Sequence, residues 1–148
     1  MTIRVGILLP QRPGDLGDWL ADAAAFDAAG ADALWVEVES GAGLDPLTLT
    51  AALTATTARA TLIARLPEGT AAEAVSTLRR LSRGRYVAPD DAGRWVRVPV
   101  PESRAHWQRT LADVDGNAVL VEADSRLLDL LRNPGDPGER HDLQLAQG

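Results

Sequence analysis

Gly30 to Leu53, GADALWVEVESGAGLDPLTLTAAL, runs from a turn into a strand, through a glycine loop and into a helix. Ala33-Leu34-Trp35-Val36 is a short apolar run with a β-favouring centre, which suits a strand covered on both faces. Glu37 and Glu39 stand where that strand ends. Asp45 caps the next helix, and Pro46 takes its first position, where the missing N–H would have had no partner. Leu49 and Leu53 then face inward, and the helix ends near Thr57.

The same alternation extends in both directions. Upstream, Ile3 to Pro10 reads as a strand, with Gln11 to Asp15 as a loop and Asp15 or Asp18 as the cap of a helix. Trp19, Ala23 and Phe26 share one helical face, and Gly30 suits the C-terminal cap. Downstream, Ala60 to Ala64 is a strand. Thr70-Ala-Ala-Glu73 has the pattern of a capping box, opening a helix with Val75 and Leu78 inward that runs to about Ser82. Arg85-Tyr-Val87 is a weak strand, and Pro89 to Gly93 is a turn. Trp95 to Val98 alternates, is bounded by Pro99 and Pro101, and is placed at a sheet edge. Ser103 caps a helix with Trp107, Leu111 and Val114 on one face. Ala118 to Val121 is a buried strand, and Ser125 caps a last helix over Leu127 to Leu131. Strands alternating with helices predict an α/β protein whose parallel sheet is wound with right-handed crossovers. The expected layout is one domain over residues 1–134, with about five or six strands, and a turn-rich tail over 135–148.

The composition narrows the function. The 148 residues carry a net charge of -6, which argues against nucleic acid as the main partner. Cysteine is absent, which excludes disulfides and thiolate metal sites. Lysine is absent too, which excludes Schiff-base chemistry and a P-loop lysine. No apolar run is long enough to span a bilayer, and the N-terminus has no signal-peptide pattern. A cytoplasmic protein is expected.

Several segments are familiar in order: Val5 to Pro10, Ala29-Gly-Ala-Asp-Ala-Leu-Trp-Val36, Leu44-Asp-Pro-Leu-Thr-Leu49, Thr57 to Leu62 and Leu81-Ser-Arg-Gly-Arg-Tyr86. Together they resemble the luciferase-like monooxygenase family over roughly the first 86 residues. Arg83 stands where the family's Leu-Ser-Gly-Gly-Arg segment has its first glycine. Leu127 to Pro134 and Leu143 to Gly148 resemble the family's closing helix and tail. The resemblance implies a (β/α)8 barrel using FMN or coenzyme F420. Such a barrel takes about 250 residues, so this chain is expected to be a shortened or incomplete TIM-barrel-like fold. The middle strands have no counterpart between Tyr86 and Trp95.

Ligands in such folds sit at the C-terminal ends of the strands. The predicted rim holds Gln11, Arg12, Glu37, Glu39, Arg65, Asp90, Asp91, Ser103, Arg104, Glu122 and Asp124. Its carboxylates would repel the phosphate that both family cofactors carry unless Arg12, Arg65 or Arg104 faces inward, so these three are the candidate cofactor-binding residues. No catalytic residue is assigned, and the rim acids are read as solvated side chains, not a metal site. Gly41-Ala-Gly43 reads as a flexible turn. His106 and His141 fall away from the strand ends. Arg79, Arg80, Arg83 and Arg85 read as complements to a helix C-terminus, with an anion or partner site as the sharper alternative. Trp95 is a candidate interface anchor. A shortened barrel leaves strand edges open, which predicts a homodimer or a partner chain covering them. Two functions compete: a catalytically impaired binding or assembly module, and an active FMN- or F420-dependent oxidoreductase completed by dimerisation.

Overall fold

Six parallel strands lie in the order β4-β3-β2-β1-β6-β5, in the computed structural model, which describes residues 2–134. They are β1 (Arg4–Leu8), β2 (Ala33–Val36), β3 (Thr61–Ala64), β4 (Tyr86–Val87), β5 (Val96–Arg97) and β6 (Ala118–Glu122). Five helices connect or follow them: α1 (Leu16–Ala29), α2 (Pro46–Thr56), α3 (Ala72–Leu81), α4 (Arg104–Asp113) and α5 (Arg126–Arg132). The tail over 135–148, with His141 and Leu143 to Gly148, lies outside the described residues. No helix among the described residues is long and apolar enough to cross a membrane.

The strands alternate their side chains between two faces. Val5, Ile7, Leu34, Val36, Leu62, Val119 and Val121 point to one face and pack against Trp19, Phe26, Leu49, Leu53, Leu78, Trp107 and Leu127 of the helices. Burial of each large side chain there stabilises the fold by roughly 1.5–3 kcal/mol. The helices neighbour one another as α3-α2-α1-α5, the order of the strands they follow, and so form a single layer. Asp15, Asp45 and Ser103 cap α1, α2 and α4 through their side chains, as expected, and Gly30 ends α1 with φ 108°.

Two expected caps do not form. The Thr70 hydroxyl donates to the Pro67 carbonyl, and Ala71 is the N-cap of α3 with no side-chain bond, so the capping box is absent. Ser125 precedes α5 in a helical conformation with no capping bond; Asp124 accepts the Arg126 N–H in its place.

Gly6, Leu8, Ala33, Trp35, Ile63 and Leu120 face the other side of the sheet, matched by register across β1, β2, β3 and β6. No α-helix among the described residues covers this side. The chain steps from β1 to β4 in one direction through the helix layer, and residues 88–95 then carry it back to the opposite edge. Because direction and face are both reversed, the right-handed sense is kept. This crossing begins with a 3-10 turn at Pro89–Asp91 and ends at Trp95. The indole of Trp95 packs edge-on to Trp35, with ring centroids 6.2 Å apart and planes at 78°. Its Nε1 donates to the Ala92 carbonyl at 3.0 Å, and the Arg4 guanidinium lies 5.1 Å from its ring centroid. Glycine at position 6 makes this possible: a Cβ there would stand 2.9 Å from Trp95 Cζ3. Trp95 is thus half-buried against its own sheet and does not project from the β5 edge.

At the N-terminal ends of the strands, two side chains tie the loops together. Asp27, buried at the end of α1, accepts from the backbone N–H groups of Ala58, Arg59 and Ala60. Arg85 donates to Thr54 O, Thr57 O, Thr57 Oγ1, Ala60 O and Ser82 O, closing the C-terminal ends of α2 and α3 onto β3.

Candidate functional site

The C-terminal ends of the strands carry the largest depression described, a cleft of about 620 Å³. Trp35 and Glu37 line it from the end of β2, Arg65 and Pro67 from β3, Pro46 from the start of α2, and Pro89 from the crossing segment. The prolines and the indole give it apolar walls, while Glu37, Arg65 and Glu68 supply charge. A second depression of about 330 Å³ lies on the β1–β6–β5 side, between Leu8, Arg97, Val100, Leu120 and Glu122.

Glu37 stands over the sheet between these two regions. Its carboxylate accepts from Gln11 Nε2 at 2.9 Å and pairs with Arg97 at 3.3 Å. β5 and β2 are separated by β6 and β1, so this ion pair spans the helix-free face above Leu8. The other rim charges pair in the same way. Arg12 meets Glu39, Arg65 meets Asp90 at 3.3 Å, and Arg126 meets Asp124 at 3.2 Å. These pairs are exposed, and each is worth about 0–1 kcal/mol. Their main consequence is electrostatic: each cancels an acidic charge with a neighbouring arginine. The carboxylates of Glu122 and Asp91 have no ion-pair or hydrogen-bond partner among the described residues.

The three candidate cofactor-binding arginines do not share one cavity. Arg65 lines the large cleft. Arg12 lines a neighbouring depression with Ser40, Gly41 and Leu44. Arg104 is largely buried between α4 and α5, where it donates to the Asn133 carbonyl and Asp129, each at 2.6 Å. Ser103 accepts the His106 N–H as a helix cap, and His106 Nδ1 accepts the Glu102 N–H. Arg97, Arg126 and Glu68 are rim residues absent from the predicted set. For Arg97 the alternation Trp95-Val96-Arg97-Val98 was the signal, since it places Trp95 and Arg97 on the same face.

The groups with shifted titrations, Asp27, Asp45 and Tyr86, are not lining residues of the cleft. Burial pushes the Asp27 carboxyl up, but three backbone donors and the Arg85 charge outweigh it and hold the group below the usual carboxylate value. The Thr48 hydroxyl and N–H hold Asp45 low as the cap of α2. Burial raises the Tyr86 phenol, whose hydroxyl donates to the Ala64 carbonyl at 3.2 Å. Among the described residues there is no group of three or more His, Asp or Glu side chains that could hold a metal ion.

The fold and site define an α/β protein with an all-parallel sheet, one helix layer and an ion-paired rim over an open cleft. Compared with known proteins, the chain matches no family model and no curated protein.

Proposed function

We propose that this chain is a shortened relative of the luciferase-like monooxygenases, a TIM-like barrel without its middle strands, acting as a binding or assembly module. The crossing segment supports the barrel part. A flat six-stranded sheet would separate its outer strands by about 24 Å, at roughly 4.8 Å per neighbour. Val87 to Val96 is nine residue steps, or about 30 Å if fully extended. That length also has to accommodate a 3-10 turn and a descent along the strands. A curled sheet, with β4 and β5 brought toward each other as neighbouring strands of an incomplete ring, accommodates that length more readily than a flat one.

The observation that carries the functional part is the pairing of the rim. Arg12, Arg65 and Arg104, the groups available to a cofactor phosphate, are each engaged by a carboxylate of the same chain. A phosphate would have to displace those carboxylates and would leave them unpaired beside it, which costs binding energy. The cleft beside Trp35 remains open for a small ligand or a side chain of a partner. The outer edges of β4 and β5 pair with no strand among the described residues, and a second copy of this chain or another partner chain is proposed to cover them.

A second function rests on the same cleft: an FMN- or F420-dependent oxidoreductase completed by dimerisation, with Arg65 released from Asp90. Equilibrium titration with FMN, and separately with F420, distinguishes the two. The module reading predicts a colourless preparation and no saturable binding at hundreds of micromolar. Saturable micromolar binding, or a protein yellow as purified, would overturn it. Light scattering that finds only monomer across micromolar concentrations would remove the dimer.

A further inference from the structure

We infer that the surface at the N-terminal ends of β3 and β4 docks an acidic segment of a partner protein, through Arg59, Arg79, Arg80 and Arg83 around Leu81. All four arginines are exposed, and Leu81 is 55% exposed. Arg79 and Arg80 lie on the last turn of α3 and Arg83 in the turn after it, while Arg59 lies in the loop before β3 that the fold brings beside them. Arg85 bonds to Thr57 and Ala60 on either side of Arg59 and to Ser82 beside Arg83. The Arg83 N–H donates to Arg80 O, and the Gly84 N–H to Arg79 O. The surface lies at the opposite end of the strands from the cleft and does not depend on what the cleft binds.

The contrast with the rim is chemical. Arg12, Arg65, Arg97 and Arg126 each face a carboxylate there. None of Arg59, Arg79, Arg80 and Arg83 has an ion pair among the described residues. The nearby acids are engaged with backbone: Asp27 with three N–H groups, and Asp32 with the Val5 N–H at 2.7 Å. A chain of net charge -6 thus brings to one surface four arginines without an ion pair among the described residues.

Charge complementarity selects an acidic occupant, since guanidinium groups bind carboxylates in a two-pronged geometry. A long polyanion fits less well, because the remaining surface repels it. Leu81 offers an apolar contact that suits a side chain and gives nothing to a phosphate backbone. The outer edge of β4, two residues from Gly84, adds free backbone groups for an extended segment.

The test is fluorescence anisotropy with the full chain and a labelled peptide of alternating glutamate and leucine. Saturable micromolar binding at low salt is expected, weakening as salt rises. The Arg59→Gln, Arg79→Gln, Arg80→Gln and Arg83→Gln quadruple variant should bind about 10-fold more weakly or worse, and Leu81→Ser should also weaken binding. No saturable binding, equal binding of a lysine–leucine peptide, or an unchanged quadruple variant would overturn the assignment. A single-stranded oligonucleotide that binds as tightly as the acidic peptide would also overturn it. Amide shifts in the unsubstituted chain provide a measurement independent of any variant's folding. They should centre on residues 57–61 and 79–87, and a centre elsewhere contradicts the proposal.

Discussion

Asp27 holds three backbone N–H groups of the loop before β3 and faces Arg85 across that loop. Its folded-state pKa lies below the unfolded value of 3.8. A group lowered on folding stabilises the native state above its unfolded pKa, and that contribution is lost as pH falls through the folded pKa. Urea midpoints should therefore be flat above about pH 5 and drop below about pH 4. In Asp27→Asn the drop should be shallower, because Asp45 remains, and stability at neutral pH should fall by about 2–4 kcal/mol. An unchanged acid limb would contradict this role. Arg83 offers a test of opposite sign. It has φ 55°, a left-handed conformation costing a side-chain-bearing residue about 1–2 kcal/mol. Arg83→Gly removes that strain but adds unfolded-chain entropy. A net gain of about 0.5–1 kcal/mol should remain, visible as a higher thermal midpoint; a lower midpoint would show that the arginine side chain compensates.

At the scale of elements, the sequence was most legible where structure is local. Apolar runs bounded by turn residues located β1, β2, β3 and β6, and the caps Asp15, Asp45 and Ser103 followed from side chains that reach only a few residues. Thr70 and Ser125 show how far that logic extends. Each has a suitable side chain, but a competing neighbour changed the cap: the Pro67 carbonyl took the Thr70 hydroxyl, and Asp124 took the donor near Ser125. The tertiary pairings were less accessible, because nothing local ties Arg97 to Glu37 or Arg85 to the end of α2. Asp27 did leave a trace. It continues the buried face of Trp19 and Ala23 at the same four-residue step, and a charge on such a face calls for buried partners. The resemblance showed a gap between Tyr86 and Trp95. The crossing that spans the gap was not visible, since Pro89 to Gly93 reads as an ordinary turn.

The whole molecule divides its labour between the ends and faces of one sheet. Helices fill one face, and the crossing segment with Trp95 fills part of the other. Opposite charges pair at the C-terminal rim, while the arginines at the N-terminal end below β3 and β4 have no ion pair among the described residues. The proposed incomplete barrel rests on the crossing, which seats Trp95 on the sheet face over Gly6 and Trp35. Gly6 reports on it through the sign of a stability change. In a strand, Gly→Ala ordinarily stabilises by about 0.5–1 kcal/mol. With Trp95 Cζ3 2.9 Å from the new Cβ, and the ring fixed by Trp35 and Ala92, overpacking should cost about 1–3 kcal/mol. The decisive measurement is a urea double-mutant cycle over Gly6→Ala and Trp95→Ala. Gly6→Ala should destabilise the native chain and become neutral or stabilising in the Trp95→Ala background. If Gly6→Ala stabilises both backgrounds equally, Trp95 does not cross the sheet here, and the incomplete-barrel reading fails with it.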